Sequence, residues 1–321
     1  MKKLRAVTAA LATALDEQRH EVQVAKLIHL LAQASASRGR HKPVLSVGRD
    51  GITLGLQLRG CERWEVATTA TVSVLDRRGR RLGTVYLAYS PEAGQKTMSQ
   101  QLTCLLRAVL AAWTGPLPRL SYVTDAGDNE TSYFDQVLRR MRHPASGGRL
   151  EWIRVVDYYH ASERLWTLAE ALLGKGGKSQ AWARKMEKVL QRPGGVYRVL
   201  HSAAALASVR QLTGQRAEAY QRAYNYLRAR MKYMKYAAYR RLGVPLGSGV
   251  TEAACKTVYS QRLKLSGMRW QKSGAQAILN LRVLVLSGVW AEAYERVLHT
   301  YGVAKVHTEA SLEEEPADRA A

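Results

Sequence analysis

The sequence predicts an α/β protein, and three observations predict it. Three early segments alternate apolar and polar residues with the period of a strand. Two later segments are short apolar runs, each followed by sequence of helical period. The remainder carries helical periodicity and no strand pattern.

Residues 1–40 read as helix and end in the basic stretch from Ser35 to Lys42. The opening MKKLRAVTAALATALDEQRHE holds a short Ala-rich run with acids close behind, which suits an amphipathic helix rather than a signal peptide. Pro43 opens an extended run. Residues 44–50 (VLSVGRD) predict a buried strand stopped at Gly51, residues 64–76 a second strand, and residues 81–89 a third after the turn DRRG. These form an antiparallel meander. The period then changes: helix over 95–113, strand over 120–125, helix over 130–141, strand over 150–157, helix over 161–173. Strand–helix–strand–helix implies parallel pairing through right-handed crossovers. Three antiparallel strands followed by two parallel ones, with helices on the faces, is the plan of an RNase H-like domain.

The expected organisation is an N-terminal helical segment over 1–43, the RNase H-like core over 44–174, an all-helical insertion over 175–245, and C-terminal helices of the core over 246–300. Those helices are read at 251–263 and 274–298, after the breaker GVPLGSG. An acidic, disordered tail is expected over 301–321. GKGGKS at 174–179 is no phosphate-binding loop, because it follows a helix and Leu172 stands where the first glycine belongs. LGSG around Ser248 likewise lacks the first glycine of a nucleophile elbow.

Lys+Arg number 49 against 26 Asp+Glu, a formal net charge of +23. Such an excess attracts polyanions, nucleic acid foremost. With no long uncharged apolar span, a membrane partner is not expected. Cys61, Cys104 and Cys255 are too few and too far apart for a disulfide framework or a paired-cysteine zinc site. They read as buried, inert thiols in a reducing cytoplasm.

Asp50, Asp125 and Asp157 each end a predicted strand. An acid directly after a buried apolar run is costly unless its charge is used. Adjacent parallel strands bring such ends together, where a divalent cation offsets the repulsion between carboxylates. The other reading of each is a helix N-cap or turn residue. Glu252 is the only acid between Tyr220 and Val289, a span with 13 Lys and Arg, and it falls in the first turn of a predicted helix. Two aspartates and a glutamate are hard oxygen donors that suit Mg²⁺ or Mn²⁺, and two such ions serve phosphodiester chemistry. The stretch from Tyr220 to Arg241 holds seven Lys/Arg, six Tyr and no acid. Arg222, Arg228, Arg230, Lys232, Lys235, Arg240 and Arg241, with Lys256, Arg262 and Lys264 beyond, are expected to grip DNA phosphates. The tyrosines either stack on unpaired bases or, at the helical spacing of Tyr233, Tyr236 and Tyr239, belong to the core.

The phrases VGRDG, TVYLAYSPEAGQKT, YVTDAGD, VVDYYHASERLWTLAEAL, WARKM, GSGVTEAACKTV and QRLKLSGMRW resemble the ISKra-type family of bacterial insertion-sequence transposases, over residues 44–294. The resemblance implies a DDE triad on an RNase H-like fold. Its first aspartate is Asp50, its second Asp125 with Asp128 as the competing choice, and its glutamate Glu252. Asp157 and His160 in DYYH are similar to an Asp-x-x-His signature that lies near the pocket in related transposases. Also implied are two Mg²⁺ or Mn²⁺ ions, double-stranded DNA (terminal repeats and target) as partner, a homo-oligomer on DNA, and a cytoplasmic, nucleoid-associated setting in a bacterium. Related transposases carry a longer helical DNA-binding region ahead of the first strand, so residues 1–43 are expected to be a truncated form of it. The alternatives are an RNase H-like nuclease or resolvase, and a non-catalytic DNA-binding relic.

Overall fold

The computed structural model describes residues 2–58, 61–266, 268 and 270–300, with side chains over 10–56, 64–266, 268 and 270–300. The expected tail over 301–321 and the side chain of Cys61 lie outside the described residues.

Five strands form one mixed sheet: β1 (Val44–Leu58), β2 (Cys61–Leu75), β3 (Arg81–Tyr89), β4 (Arg119–Thr124) and β5 (Trp152–Val156). Their order is β3-β2-β1-β4-β5. The pairs β1/β2 and β2/β3 are antiparallel, whereas β1/β4 and β4/β5 are parallel. The meander and the two parallel strands therefore stand as expected. One boundary does not. β1 runs on past Gly51 to Leu58, so Asp50 lies inside a strand rather than at its end. Ile52, Leu54 and Leu56 continue the alternation, and Leu54 and Leu56 are buried. Gly51 had read as the stop.

Alternation along β1 sorts its side chains onto two faces. Leu45 and Val47 point into a core made with α1 (Lys2–Ala36), α2 (Lys96–Ala112) and α3 (Asp128–Gln136), through Leu27, Leu31, Met98, Leu102 and Tyr133. The N-terminal helix is thus a covering layer of the sheet along its second half. Its first half packs Leu15 and Val22 against Leu284 and Val297, and Arg296 holds Glu21 at 2.7 Å.

Ser46, Gly48 and Asp50 take the other face. Over β4 and β5 that face is closed by α4 (Tyr158–Leu173). The helical insertion follows as α5 (Gly177–Leu190), α6 (Gly195–Ser208), α7 (Gly214–Arg230) and α8 (Tyr236–Arg241). It shares one core with α4 through Leu165, Ala183, Val199 and Leu227. Tyr236 and Tyr239 are buried, and their hydroxyls donate to the carbonyls of Val156 (3.0 Å) and Arg154 (3.1 Å). Tyr233 packs edge-on to Phe134, with Arg154 over its ring. The core reading of these three tyrosines holds, because the tight turn over Met231–Tyr233 and the start of α8 both pack against β5.

After the insertion come α9 (Gly249–Ala254), a wider π-helical turn over Cys255–Ser260, the short α10 (Gln261–Leu263), α11 (Lys272–Leu286) and α12 (Trp290–Thr300). The single helix expected over 274–298 is two helices bent by 115°. The bend falls at Gly288, whose φ of +65° is the left-handed value that ends a helix. The helix expected over 130–141 also ends early, at Gln136, and continues as a tight turn over Leu138–Arg140. Among the described residues, no single helix is long and apolar enough to cross a membrane.

Candidate active site

The parallel register pairs Gly48 with Val123, and Val123 with Val155. Two residues further along each strand direction stand Asp50, Asp125 and Asp157, on the face shared by Gly48. The amide of Asp157 donates to the Thr124 carbonyl at 2.8 Å, which carries the ladder one step past β5.

Glu252 reaches this row because α9 lies directly on β1. The Thr251 hydroxyl meets the Thr71 hydroxyl at 2.7 Å in the core. A Cβ on Gly48 would stand 2.0 Å from Thr251 Oγ1 and 2.9 Å from Thr71 Oγ1. Only glycine admits that approach. Gly48→Ala is expected to lift α9 and cost about 1–3 kcal/mol by overpacking. Thr251→Ala in the same chain should recover part of it, read as the midpoint of thermal unfolding.

Asp50 is half-buried. Its Oδ1 accepts from the Gly51 amide at 2.7 Å, and its Oδ2 from the Cys255 thiol at 3.4 Å. Burial pushes the Asp50 carboxyl up, the Gly51 amide and the Cys255 thiol offset part of this, and the charges of Asp125 and Glu252 add to the rise. Asp125 and Glu252 therefore stand near enough for their charges to act on Asp50. Burial and Asp50 together push the Cys255 thiol up, so it stays protonated and donates.

Asp125 is held from below. Its Oδ1 accepts from the Gly127 amide at 3.0 Å, and its carbonyl accepts from the Tyr226 hydroxyl at 2.6 Å. Ala126 adopts a φ of +62°, rare for a residue with a Cβ. Arg230 fixes that turn by donating to the Ala126 carbonyl through Nε at 3.1 Å and Nη2 at 3.0 Å, with its guanidinium stacked on Tyr226. Arg230 thus faces inward, whereas the other nine basic residues expected on DNA are exposed. Four of those nine have protein partners: Arg222 lies 3.6 Å from Glu218, two residues before the acid-free stretch, Arg240 donates to Gln191, Arg262 to the Gln261 carbonyl, and Lys232 lies over the Tyr233 ring. Asp128 is exposed in the first turn of α3, and it is Asp125 whose charge acts on Asp50.

Asp157 is fully buried and caps α4. Its Oδ1 accepts from the amides of Tyr159 (2.6 Å) and His160 (3.1 Å), and its Oδ2 from the Ser248 amide and from Ser248 Oγ at 2.6 Å. The N-cap reading of Asp157 is the observed one. Ser248 Oγ also lies 3.2 Å from Glu252 Oε1, so its one proton serves either carboxylate, with Asp157 the nearer. His160 Nε2 stands 3.5 Å from the same oxygen, and its Nδ1 3.4 Å from Glu163. Ser248 and His160 therefore bracket the Glu252 carboxylate, whose side chain is 45% exposed.

Sequence reasoning missed a further acid. Glu130 is 7% exposed, and a Cβ on Gly127 would stand 2.5 Å from its Oε2 and 3.5 Å from Asp125 Oδ1. Burial raises its carboxyl, Asp125 and Asp50 add to the rise, and Arg49 opposes it. Arg49 is buried beneath, donating to Ser99 and Gln95. Its position directly before Asp50 in an apolar strand was the available signal. Cys255 and Ser248 were also missed, although they lie three residues after and four before Glu252, on its own helix and cap. Cys104 is exposed, which corrects the expectation of a buried thiol, because its position on α2 points away from the sheet.

Among the described residues, no three His, Cys, Asp or Glu side chains stand close enough to hold one ion as placed. The donor chemistry nevertheless fits a divalent cation. Asp50 is desolvated, repelled by two further carboxylates, and neutralised by no cationic side chain in hydrogen-bond contact. No protein-family model matches the chain, and no curated protein matches it.

Proposed function

We propose that this chain is a transposase: a metal-dependent enzyme of the RNase H-like class that cuts DNA and joins the freed end to a target. One observation carries the reading. Asp50, Asp125 and Glu252, brought from β1, the end of β4 and α9, raise the charge cost of one site in a chain of net charge +23. The strand order β3-β2-β1-β4-β5 supports the fold class, and the phrases named above support the family.

Asp50, Asp125 and Glu252 would hold the ions. Bound Mg²⁺ or Mn²⁺ would supply an activated water or 3′-hydroxyl and stabilise the leaving oxygen. The chain's own part is positioning. Tyr226 and Arg230 hold the Asp125 turn from its carbonyl side. Asp157 and Ser248 fix the start of α9, and His160 holds its Nε2 3.5 Å from Glu252 Oε1. Arg228, Lys232, Lys235 and Arg241 on the insertion, and Lys256, Arg262 and Lys264 after it, present charge to phosphates.

Product analysis tests this reading. Wild-type protein is incubated with Mn²⁺, a duplex carrying the sequence flanking its gene, and a target plasmid. The expected result is covalent joining of the duplex 3′ ends to the plasmid. Cutting without joining would replace the transposase by a nuclease or resolvase on the same site. Tight binding with neither product would overturn the enzyme reading in favour of a DNA-binding relic.

A further inference from the structure

The carboxylates occupy one end of the sheet, and the other end carries a charge concentration that this reading does not use. There the α1–β1 loop (residues 37–43) meets the β2–β3 turn (residues 76–80). The two segments bring together Arg38, Arg40, Lys42, Arg77, Arg78 and Arg80, and their only acid is Asp76. Asp76 is buried and spent. It accepts from the amides of Arg78 and Arg80 and pairs with Arg80 Nε at 3.1 Å. Arg38, Arg40, Lys42, Arg77 and Arg78 are exposed and form no ion pair among the described residues.

This pole is built, not loose. The His41 amide donates to the Arg77 carbonyl at 3.1 Å, and Arg77 Nε returns a bond to the His41 carbonyl at 3.3 Å. Arg78 Nε donates to the Arg38 carbonyl at 3.2 Å, and the Arg77 amide to Ser37 Oγ at 3.1 Å. A Cβ on Gly39 would come 2.1 Å from the Arg77 carbonyl oxygen. Loop and turn are thus locked face to face, with like charges held side by side. Each such neighbour costs repulsion that a polyanion would offset.

Two features join the pole to the rest of the basic surface. The His41 ring packs on Gly243, 2.9 Å from where a Cβ would stand, and Arg119 donates to the Leu242 carbonyl at 2.5 Å. Those residues directly follow the exposed Arg240 and Arg241 of the insertion. A cleft lined by Ser46, Thr71 and Ser73 among others runs from Ser248 and Thr251, beside Glu252, to Gly79 and Arg81 at the pole.

We propose that this pole is a second phosphate-binding surface for duplex DNA, continuous with the basic insertion. It rests on the DNA-processing reading of the carboxylate site. From Val44 to Asp50 the strand rises roughly 20 Å, about six base pairs of duplex, so one DNA segment can span both.

The test uses the full chain and the double variant Arg40→Gln/Lys42→Gln. Both side chains are exposed, and neither holds a backbone carbonyl. A control, Arg107→Gln/Arg140→Gln on α2 and in the turn after α3, removes equal charge from exposed positions on elements that cover the opposite face of the sheet. Binding to a long random-sequence duplex is measured across a salt series without divalent metal. The pole variant should lose about two units of the slope of log K against log salt, and about tenfold in affinity at physiological salt, while the control keeps the wild-type slope. A pole variant with the wild-type slope would overturn the proposal, including the case in which it has lost affinity for RNA or an acidic protein only. Because this assay reads binding alone, a wild type that never cuts DNA would defeat the enzyme reading and leave the slopes to decide the pole.

Discussion

Replacing Asp50 by Asn should leave a protein that unfolds at the same or a higher temperature at neutral pH, yet cuts DNA at least about a thousandfold more slowly. The rate loss follows from removing one carboxylate of a cation site worth several kcal/mol to the transition state, at about 1.4 kcal/mol per tenfold. The stability half follows from linkage. Burial and the charges of Asp125 and Glu252 hold the Asp50 pKa above its unfolded value. The folded chain thus binds that proton more tightly than the unfolded one. Below the unfolded value, about 3.9, the cost of ionising Asp50 is absent. It builds as pH rises through the folded value and is fully present above it. Asn carries no such cost, so the gain over wild type should be visible at pH 7 and shrink towards pH 4. Thermal unfolding at the two pH values, beside a cleavage assay, checks both halves. A variant less stable at pH 7 than at pH 4, relative to wild type, would contradict the charge-cost account.

Asp157→Ala should show the opposite pattern, a large loss of stability with activity falling in consequence. The carboxylate is 0% exposed and accepts four hydrogen bonds, two from the start of α4 and two from Ser248. Deleting it strands those donors in the interior, a loss of about 3–5 kcal/mol. At roughly 2 °C per kcal/mol for a chain of this size, the unfolding midpoint should fall by about 6–10 °C. The loop holding Ser248, and with it Glu252, would lose its anchor. Near-native unfolding of the Ala variant, with activity lost, would instead make Asp157 a participant in the chemistry.

These two aspartates also mark how far the sequence could be read. Alternation and period changes located all five strands, and with them the row in which Asp50, Asp125 and Asp157 stand. Glu252 was legible from charge alone, as the only acid in a basic span. What stayed hidden depends on side chains meeting across long separations. Asp157 looks like Asp50 in sequence; its cap on α4 is local, but only the return of Ser248, 91 residues on, makes it a tether. Arg230 reads as a DNA contact until Ala126, 104 residues earlier, takes its guanidinium. Glu130 reads as an ordinary acid in the first turn of a helix until the fold brings Asp50 of β1, 80 residues earlier, to act on it beside Asp125. The end of β1 was misplaced because glycine in a strand pattern resembles a stop. Gly51 is instead where the strand passes close to Val66, and a Cβ there would lie 2.8 Å from that side chain.

The most direct test of the carboxylate site compares wild type with Glu252→Gln on a duplex carrying the DNA that flanks the gene, in Mn²⁺ and with chelator. The account predicts strand-specific cuts by wild type that leave 3′-hydroxyls and vanish with chelator. It also predicts a variant that folds and binds DNA normally but cuts at least about a thousandfold more slowly. Equal cutting by the two proteins, or cutting that survives the chelator, would contradict it.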